Sequence, residues 1–253
     1  MLSLIVPILG GLDSRPHLRE PNGPSLSIEI NVPAFRLDVM KDGTRVRSYE
    51  IAVGLPRYKT PLGHFTMGEI IWNPWWYPPD SYWARKEKIT PPGPSNPMGK
   101  VKLSLGSLVY LHATPIDESI GGAASHGCIR MHSSDAIDLA KLVQDVMGAS
   151  VSGDSMSSIL ENWSPSLTVH LRTPVPVRIV YRLVELRGDT LLIHRDVYAI
   201  GNASLELQVV EVLNGAGVDT ALVKRAELRR AVRQSRAGSV QVRLSQLLLS
   251  EGR

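Results

Sequence analysis

Phe35-Arg36-Leu37-Asp38-Val39-Met40-Lys41-Asp42-Gly43-Thr44-Arg45-Val46-Arg47-Ser48-Tyr49-Glu50-Ile51-Ala52-Val53 reads as two β-strands and the turn between them. Phe35 to Met40 is the outgoing strand. Arg45 to Val53 returns, with Tyr49, Ile51 and Val53 on one face. Asp42-Gly43 between alternating runs predicts a type I′ hairpin, whose two central residues both need φ > 0. Just upstream, Ser27 to Val32 alternates with Ile28, Ile30 and Val32 on one face, which is a third strand. Three strands in succession argue for a mainly β chain built on a meander, not for βαβ units.

Working outward, Val101 to Leu111 is strand-like and ends at His112, and Leu167 to Leu171 and Val175 to Leu183 are further strands. Pro174 and Pro176 place those last two at a sheet edge, because proline donates no ladder hydrogen bond. One helix is expected after Cys128. Ser133 or Ser134 suits its cap, Asp135 its first turn, Ile137, Ala140 and Val143 its apolar face, and Gly148 its end. Ser150 to Ser158 reads as a polar connector. Beyond residue 186, a helix from Asp219 or Thr220 through Ser235 and a strand at Val240, Val242 and Leu244 make a small α+β extension. The division is therefore 1–25 as N-terminal segment and linker, 26–185 as the main domain, and 186–253 as C-terminal extension.

A chain of 253 residues with 43% hydrophobic and 21% charged content can bury one good core plus an appendage. The net charge of +4 suits an anionic polymer such as a cell wall but is too dispersed to indicate nucleic acid. At the start, Leu2, Leu4, Ile5, Val6, Ile8 and Leu9 form a short apolar run interrupted by Pro7. It is too short for a membrane span and has no basic residue before it, so it reads as the remnant of a signal, a strand or a mobile terminus.

The chemistry concentrates at Ser125-His126-Gly127-Cys128-Ile129-Arg130-Met131. Cys128 is the one cysteine, with His126 two residues before it, Arg130 two after, and His112 sixteen upstream. One cysteine excludes an internal disulfide and a structural zinc site, and the histidines lack metal-ligand spacing, so neither metal nor organic cofactor is expected. A thiolate near imidazoles and ahead of a helix N-terminus is a candidate nucleophile, its pKa expected to be lowered there. A small buried apolar residue is the alternative for a lone cysteine. A second feature is the loop from Trp72 to Trp83, which holds all but one of the tryptophans amid prolines. Trp72, Trp75, Trp76 and Tyr82 are expected to pin the loop on the core or to form a lid over the cysteine.

Ser125 to Met131, with a histidine upstream at this interval, resembles the catalytic signature of the L,D-transpeptidase (YkuD-like) family. Lys59-Thr60-Pro61-Leu62-Gly63-His64-Phe65 resembles the family's Thr-Pro-x-Gly-x-Phe turn, and Asn96-Pro97-Met98-Gly99 its Asn-Pro-Leu-Gly stretch. Many members have glycine after the upstream histidine; Ala113 stands here, followed by a matching Thr114.

The resemblance covers about residues 26 to 185. It implies a β-sandwich of mixed sheets with one helix after the cysteine, and a place in the bacterial cell envelope. It further implies acyl transfer on peptidoglycan stem peptides, as donor and acceptor, through a cysteine thioester, with carbapenem β-lactams as covalent inhibitors. His112 is then the general base, oriented by the carbonyl of Ala113, and His126, its competitor for that role, is assigned to substrate contact or thiolate stabilisation. Backbone N–H groups of Gly127 and Cys128 are expected to form the oxyanion hole, with Ser125 beside them and Arg130 holding a substrate carboxylate. The rival readings are an L,D-carboxypeptidase with the same site, and a wall-binding module without catalysis.

Overall fold

A computed structural model of the chain describes residues 25–106, 108–149, 151–201 and 204–249. The N-terminal segment expected over 1–25 therefore lies, apart from Ser25, outside the described residues. The opening strands are β1 (Leu26–Asn31), β2 (Arg36–Lys41) and β3 (Thr44–Gly54). The hairpin turn has Asp42 at φ 49 and Gly43 at φ 77, with Lys41 paired to Thr44, which is the geometry the Asp-Gly pair favours.

β4 (Gly63–Trp72) and β5 (Val101–Ser104) follow, flanking the long aromatic loop. Next come β6 (Tyr110–Ala113), β7 (Ala123–Ser125), β8 (Ile129–Met131), helices α1 (Ser133–Val146) and α2 (Gly153–Glu161), and β9 (Leu167–Val180). The run from Val101 to Leu111 is thus two strands, since Val109 N–H bonds Gly106 O at 2.9 Å and turns the chain. The polar connector expected at 150–158 instead runs into α2, started by Ser152, whose Oγ accepts from the N–H of Ser155. Two helices, not one, follow the cysteine in this region.

Sheet order is β2-β1-β9-β4-β5-β6-β8-β3, and β3 pairs back with β2. The two-sheet sandwich expected from the sequence is instead one sheet closed on itself, with β7 added in parallel to the end of β3. Closure encloses an apolar core of Ile28, Ile30, Leu37, Ile51, Met67, Ile70, Leu103, Leu111 and Met131, under which α1 packs Leu139 and Val143. Helix α1 ends in a Schellman turn, with Gly148 at φ 70 and Ala149 N–H on Gln144 O. β9 lies between β1 and β4 in the sheet, but its stretch with both prolines has β4 alone beside it, so the expected edge holds there. β4 runs along one side of it from Leu167 to Ile179, and β1 joins the other side only from Val177, beyond both prolines.

After β9 come β10 (Val184–Arg187), β11 (Thr190–Ile193), α3 (Leu205–Gly215), α4 (Arg225–Gln234), β12 (Val240–Arg243) and α5 (Leu244–Leu247). The three strands form a separate antiparallel sheet with its own core of Leu191, Ile193, Val209, Leu213, Leu228 and Leu247. Leu244 opens α5 instead of continuing the last strand, and α4 begins after a short 3-10 turn capped by Asp219. A polar seam joins this unit to the barrel. Asn31 Nδ2 and Arg36 Nη2 donate to Glu185 at 2.5 and 2.7 Å, and Arg187 Nη2 reaches Asp38 at 2.5 Å. Burial alone would push the Glu185 carboxyl up, but His194 and Arg36 hold it down at about 2. Among the described residues, no helix is long and apolar enough to cross a membrane.

Candidate functional site

The site is built on the outer face of β5, β6 and β8. Leu103, Leu111, Ile129 and Met131 point into the core, so their neighbours Lys102, Tyr110, His112 and Arg130 face outward by the two-residue period of a strand. Lys102 is registered with His112 on β5–β6, and His112 with Arg130 on the parallel pair β6–β8. Cys128 lies two residues before Arg130, on the same face, beside Tyr110. Register therefore aligns His112 with the strand that Cys128 leads into, and Cys128 stands one residue ahead of that strand's first position.

His112 is only 3% exposed, and its Nδ1 lies 2.7 Å from the carbonyl oxygen of Ala113. A carbonyl only accepts, so Nδ1 carries the proton of the neutral ring and Nε2 is its unprotonated nitrogen, with the Pro97 carbonyl a second backbone acceptor near the ring. Burial pushes the ring's pKa down to about 4, against the pull of the Ala113 carbonyl, with Arg130 and Lys102 adding to the depression. Position is fixed from behind as well. Gly99, at φ 59, backs directly onto Ala113, and a β-carbon there would stand 2.6 Å from the Ala113 Cβ. The adjoining Asn96 is fully buried and donates to the carbonyls of Pro74, Thr90 and Pro91, tying the aromatic loop to this corner.

Cys128 is a free, partly exposed thiol. The expectation that a helix N-terminus depresses its pKa does not hold. Strand β8 intervenes between Cys128 and α1, and burial pushes the thiol above its usual value, against the opposing effects of the Tyr110 amide, Arg130 and Lys102. Neither serine caps α1 with its side chain: the N-cap is His132, and Ser133 Oγ donates to the carbonyl of Thr114. A raised thiol and a lowered imidazole are both uncharged near neutral pH, and Arg130 and Lys102 act electrostatically on each.

Ser125 is buried and braces the cysteine loop. Its hydroxyl donates to the Cys128 carbonyl at 2.5 Å and accepts from the N–H of Gly127 at 3.0 Å. The Gly127 N–H is therefore already engaged and is not available to an oxyanion, contrary to the sequence expectation. Gly127 has φ 115, a left-handed conformation that favours glycine, and a β-carbon there would lie in ordinary contact range of the Lys59 and Tyr58 carbonyls.

His126 lies on the far side of the loop, stacked on Trp83 with ring centroids 3.9 Å apart and tilted against Tyr58 at 4.6 Å. Burial lowers its pKa, as do Arg130 and Arg57. The aromatic loop thus meets this site through Trp83, a residue that the sequence reading did not single out. Of the four expected lid residues, Trp72 is fully buried beneath the sheet, its Nε1 donating to Gln144 Oε1 at 3.2 Å. Trp75 packs on Tyr77, Trp76 pairs with Thr90, and Tyr82 is 82% exposed under Arg85. None of these contacts reaches the cysteine. Lys102 and Tyr110 were also missed. The Nζ of Lys102 lies 4.8 Å from the Tyr110 ring, and locating the turn at Gly106 would have put Lys102 opposite His112, with Tyr110 two residues before His112 on the same face.

Residues 25–177 match the YkuD family, described as the L,D-transpeptidase catalytic domain, and the chain belongs to that family. It is 33% identical over 129 residues to a protein of Bacillus licheniformis named putative L,D-transpeptidase YkuD. That match covers 51% of this chain and 66% of the relative, just under two thirds of its length. Among solved structures it is similar to L,D-transpeptidase 3 from Mycobacterium tuberculosis in complex with a faropenem-derived adduct (16% identity, 62% of this chain and 60% of that one, TM-score 0.40). Another is LD transpeptidase LdtMt1 in complex with imipenem (17% identity, 62% and 60%, TM-score 0.37).

Proposed function

We propose that the protein is an L,D-transpeptidase of the bacterial cell envelope that transfers acyl groups between peptidoglycan stem peptides. Cys128 Sγ attacks the carbonyl of an amide joining an L to a D centre. His112 Nε2 takes the thiol proton as the carbon–sulfur bond forms, then gives it to the departing amine. An acceptor amine attacks the thioester, its proton passes back through His112, and the thiol is restored. What supports this reading is the register of His112 with Arg130 across β6–β8, two residues after the free Cys128, with Nδ1–H held by the Ala113 carbonyl.

Because the thiol is raised and the imidazole lowered, proton transfer accompanies attack and no thiolate is stored at rest. Arg130 and Lys102 stabilise the negative charge that develops. The oxyanion contact falls to the Cys128 amide, since that of Gly127 is bound to Ser125. Trp83 and His126 form a flat wall on which a peptide can pack. By the same reading carbapenem β-lactams are covalent inhibitors that acylate Cys128. The test is mass analysis of products from a tetrapeptide donor with an acceptor stem peptide. A cross-linked dimer from the native protein and none from Cys128→Ala is expected. Tetrapeptide shortened to tripeptide, without dimer, would make water the acceptor and the enzyme a carboxypeptidase.

A further inference from the structure

The cysteine loop is held from behind by a side chain outside the matched family region. Tyr198 lies between β11 and α3 and is 4% exposed. Its hydroxyl donates to the carbonyl of Gly54 at 2.9 Å and accepts from the N–H of Thr60 at 3.0 Å. The Oγ1 of Thr60 accepts from Gly54 N–H at 2.9 Å and donates to the carbonyl of Gly127 at 3.0 Å. Gly127 precedes Cys128, so one side chain separates the Tyr198 hydroxyl from the peptide that carries the thiol.

Both ends of this strut are fixed. The Tyr198 ring stacks on Tyr181 at 5.6 Å, and its N–H bonds the Tyr181 hydroxyl at 2.7 Å. Tyr181 donates in turn to Asp196 Oδ1 at 2.5 Å, and the Asp196 carboxylate also accepts from Ile200 and Gly201. At the other end, residues 54 to 60 fold so tightly that a β-carbon on Gly54 would stand 2.0 Å from the Tyr58 carbonyl oxygen. The same short loop bonds Ser125 through the N–H of Leu55 and carries Tyr58 against His126. Moving this loop moves the cysteine loop on two sides at once.

We propose that Tyr198, which follows the family-matched region in sequence but packs its ring into the barrel core, is a positioning residue for Cys128 that sets the orientation of the Gly127–Cys128 peptide by way of Thr60. This rests on the reading of Cys128 as the nucleophile. Phenylalanine at 198 keeps the ring and loses both hydrogen bonds. A near-attack geometry is sensitive to displacements of an ångström or less, so the effect should fall on the acylation step.

The experiment uses the full chain, with Tyr198→Phe, Thr60→Val, Thr60→Ser and, as a control in the second core, Val223→Ala. Two readouts are taken: the rate of imipenem acylation by intact mass, and the pH profile of Cys128 alkylation by iodoacetamide. Tyr198→Phe and Thr60→Val should each slow acylation roughly 5- to 30-fold and displace the alkylation profile. Thr60→Ser, which keeps the hydroxyl, should stay near the native rate, and Val223→Ala should leave both readouts unchanged. Native values for Tyr198→Phe, or equal slowing by Val223→Ala, would overturn the proposal. If Tyr198→Phe does not fold, equal rates for Thr60→Ser and Thr60→Val would overturn it. An unacylated native protein whose alkylation profile still depends on Tyr198 would remove the transpeptidase reading and leave the strut standing.

Discussion

The imidazole Nδ1 of His112 lies 2.7 Å from the carbonyl oxygen of Ala113, its own chain neighbour, and that carbonyl is backed by Gly99. The bond fixes which ring nitrogen is unprotonated without recruiting an acidic side chain. A base held this way depends on backbone geometry, so changes to the backbone should register as changes in chemistry.

Gly99→Ala tests that directly. The new β-carbon would stand 2.6 Å from the Ala113 Cβ, at a backbone φ of 59 that favours glycine. Acylation should fall at least about tenfold by displacement of His112. Stopped-flow acylation with imipenem measures it, and a native rate would show that the Ala113 carbonyl does not set the base.

Replacing the two histidines should give unequal losses. His112→Ala removes the base and should slow acylation by roughly 10²- to 10⁴-fold. His126→Ala removes only the ring stacked on Trp83 and should chiefly raise KM. Steady-state kinetics separate the two, and the reverse order would exchange their roles.

The pH dependence follows from the neutral pair. With its pKa at about 4, His112 stays unprotonated and competent well below pH 6, so the acid limb of the acylation profile should lie near 4 and not near the ordinary imidazole value of 6.5. Alkylation of Cys128 should still be rising at pH 9, because burial raises the thiol. An alkylation plateau reached below pH 7 would mean a stored thiolate and contradict this.

Stability should report the polar seam. The Glu185 carboxyl is at about 2 in the folded chain against 4.5 for the free group. It therefore stabilises the fold fully above pH 4.5 and loses that contribution as pH falls towards 2. Chemical denaturation at pH 5 and pH 3 should show a lower midpoint at pH 3. Glu185→Gln should flatten that difference, and an unchanged pH dependence in that variant would remove Glu185 as the cause.

Much of the barrel's first hairpin was legible because Asp42-Gly43 and the alternating residues around it are local signals. Most of the chemistry-bearing residues were legible for the same reason, clustered in Ser125 to Met131, with His112 sixteen residues upstream of Cys128 at the end of an apolar run. Closure of the sheet was not, since β1 meets β9 about 150 residues away and no local pattern encodes that pairing. Trp72 looked like its neighbours in the aromatic loop, yet it ends β4 and turns inward to Gln144. Helix α3 was hidden by Leu205, Leu207, Val209 and Leu213, whose near-alternation mimics a strand. The thiol's raised pKa was misjudged because three residues of strand separate it from α1, and that strand is invisible in a motif.

The most direct measurement is intact mass of the full chain after incubation with imipenem. A single adduct, absent from Cys128→Ala and formed at least about a hundredfold more slowly by His112→Ala, is the predicted result. No adduct on the native protein, or one that persists in Cys128→Ala, would contradict the account.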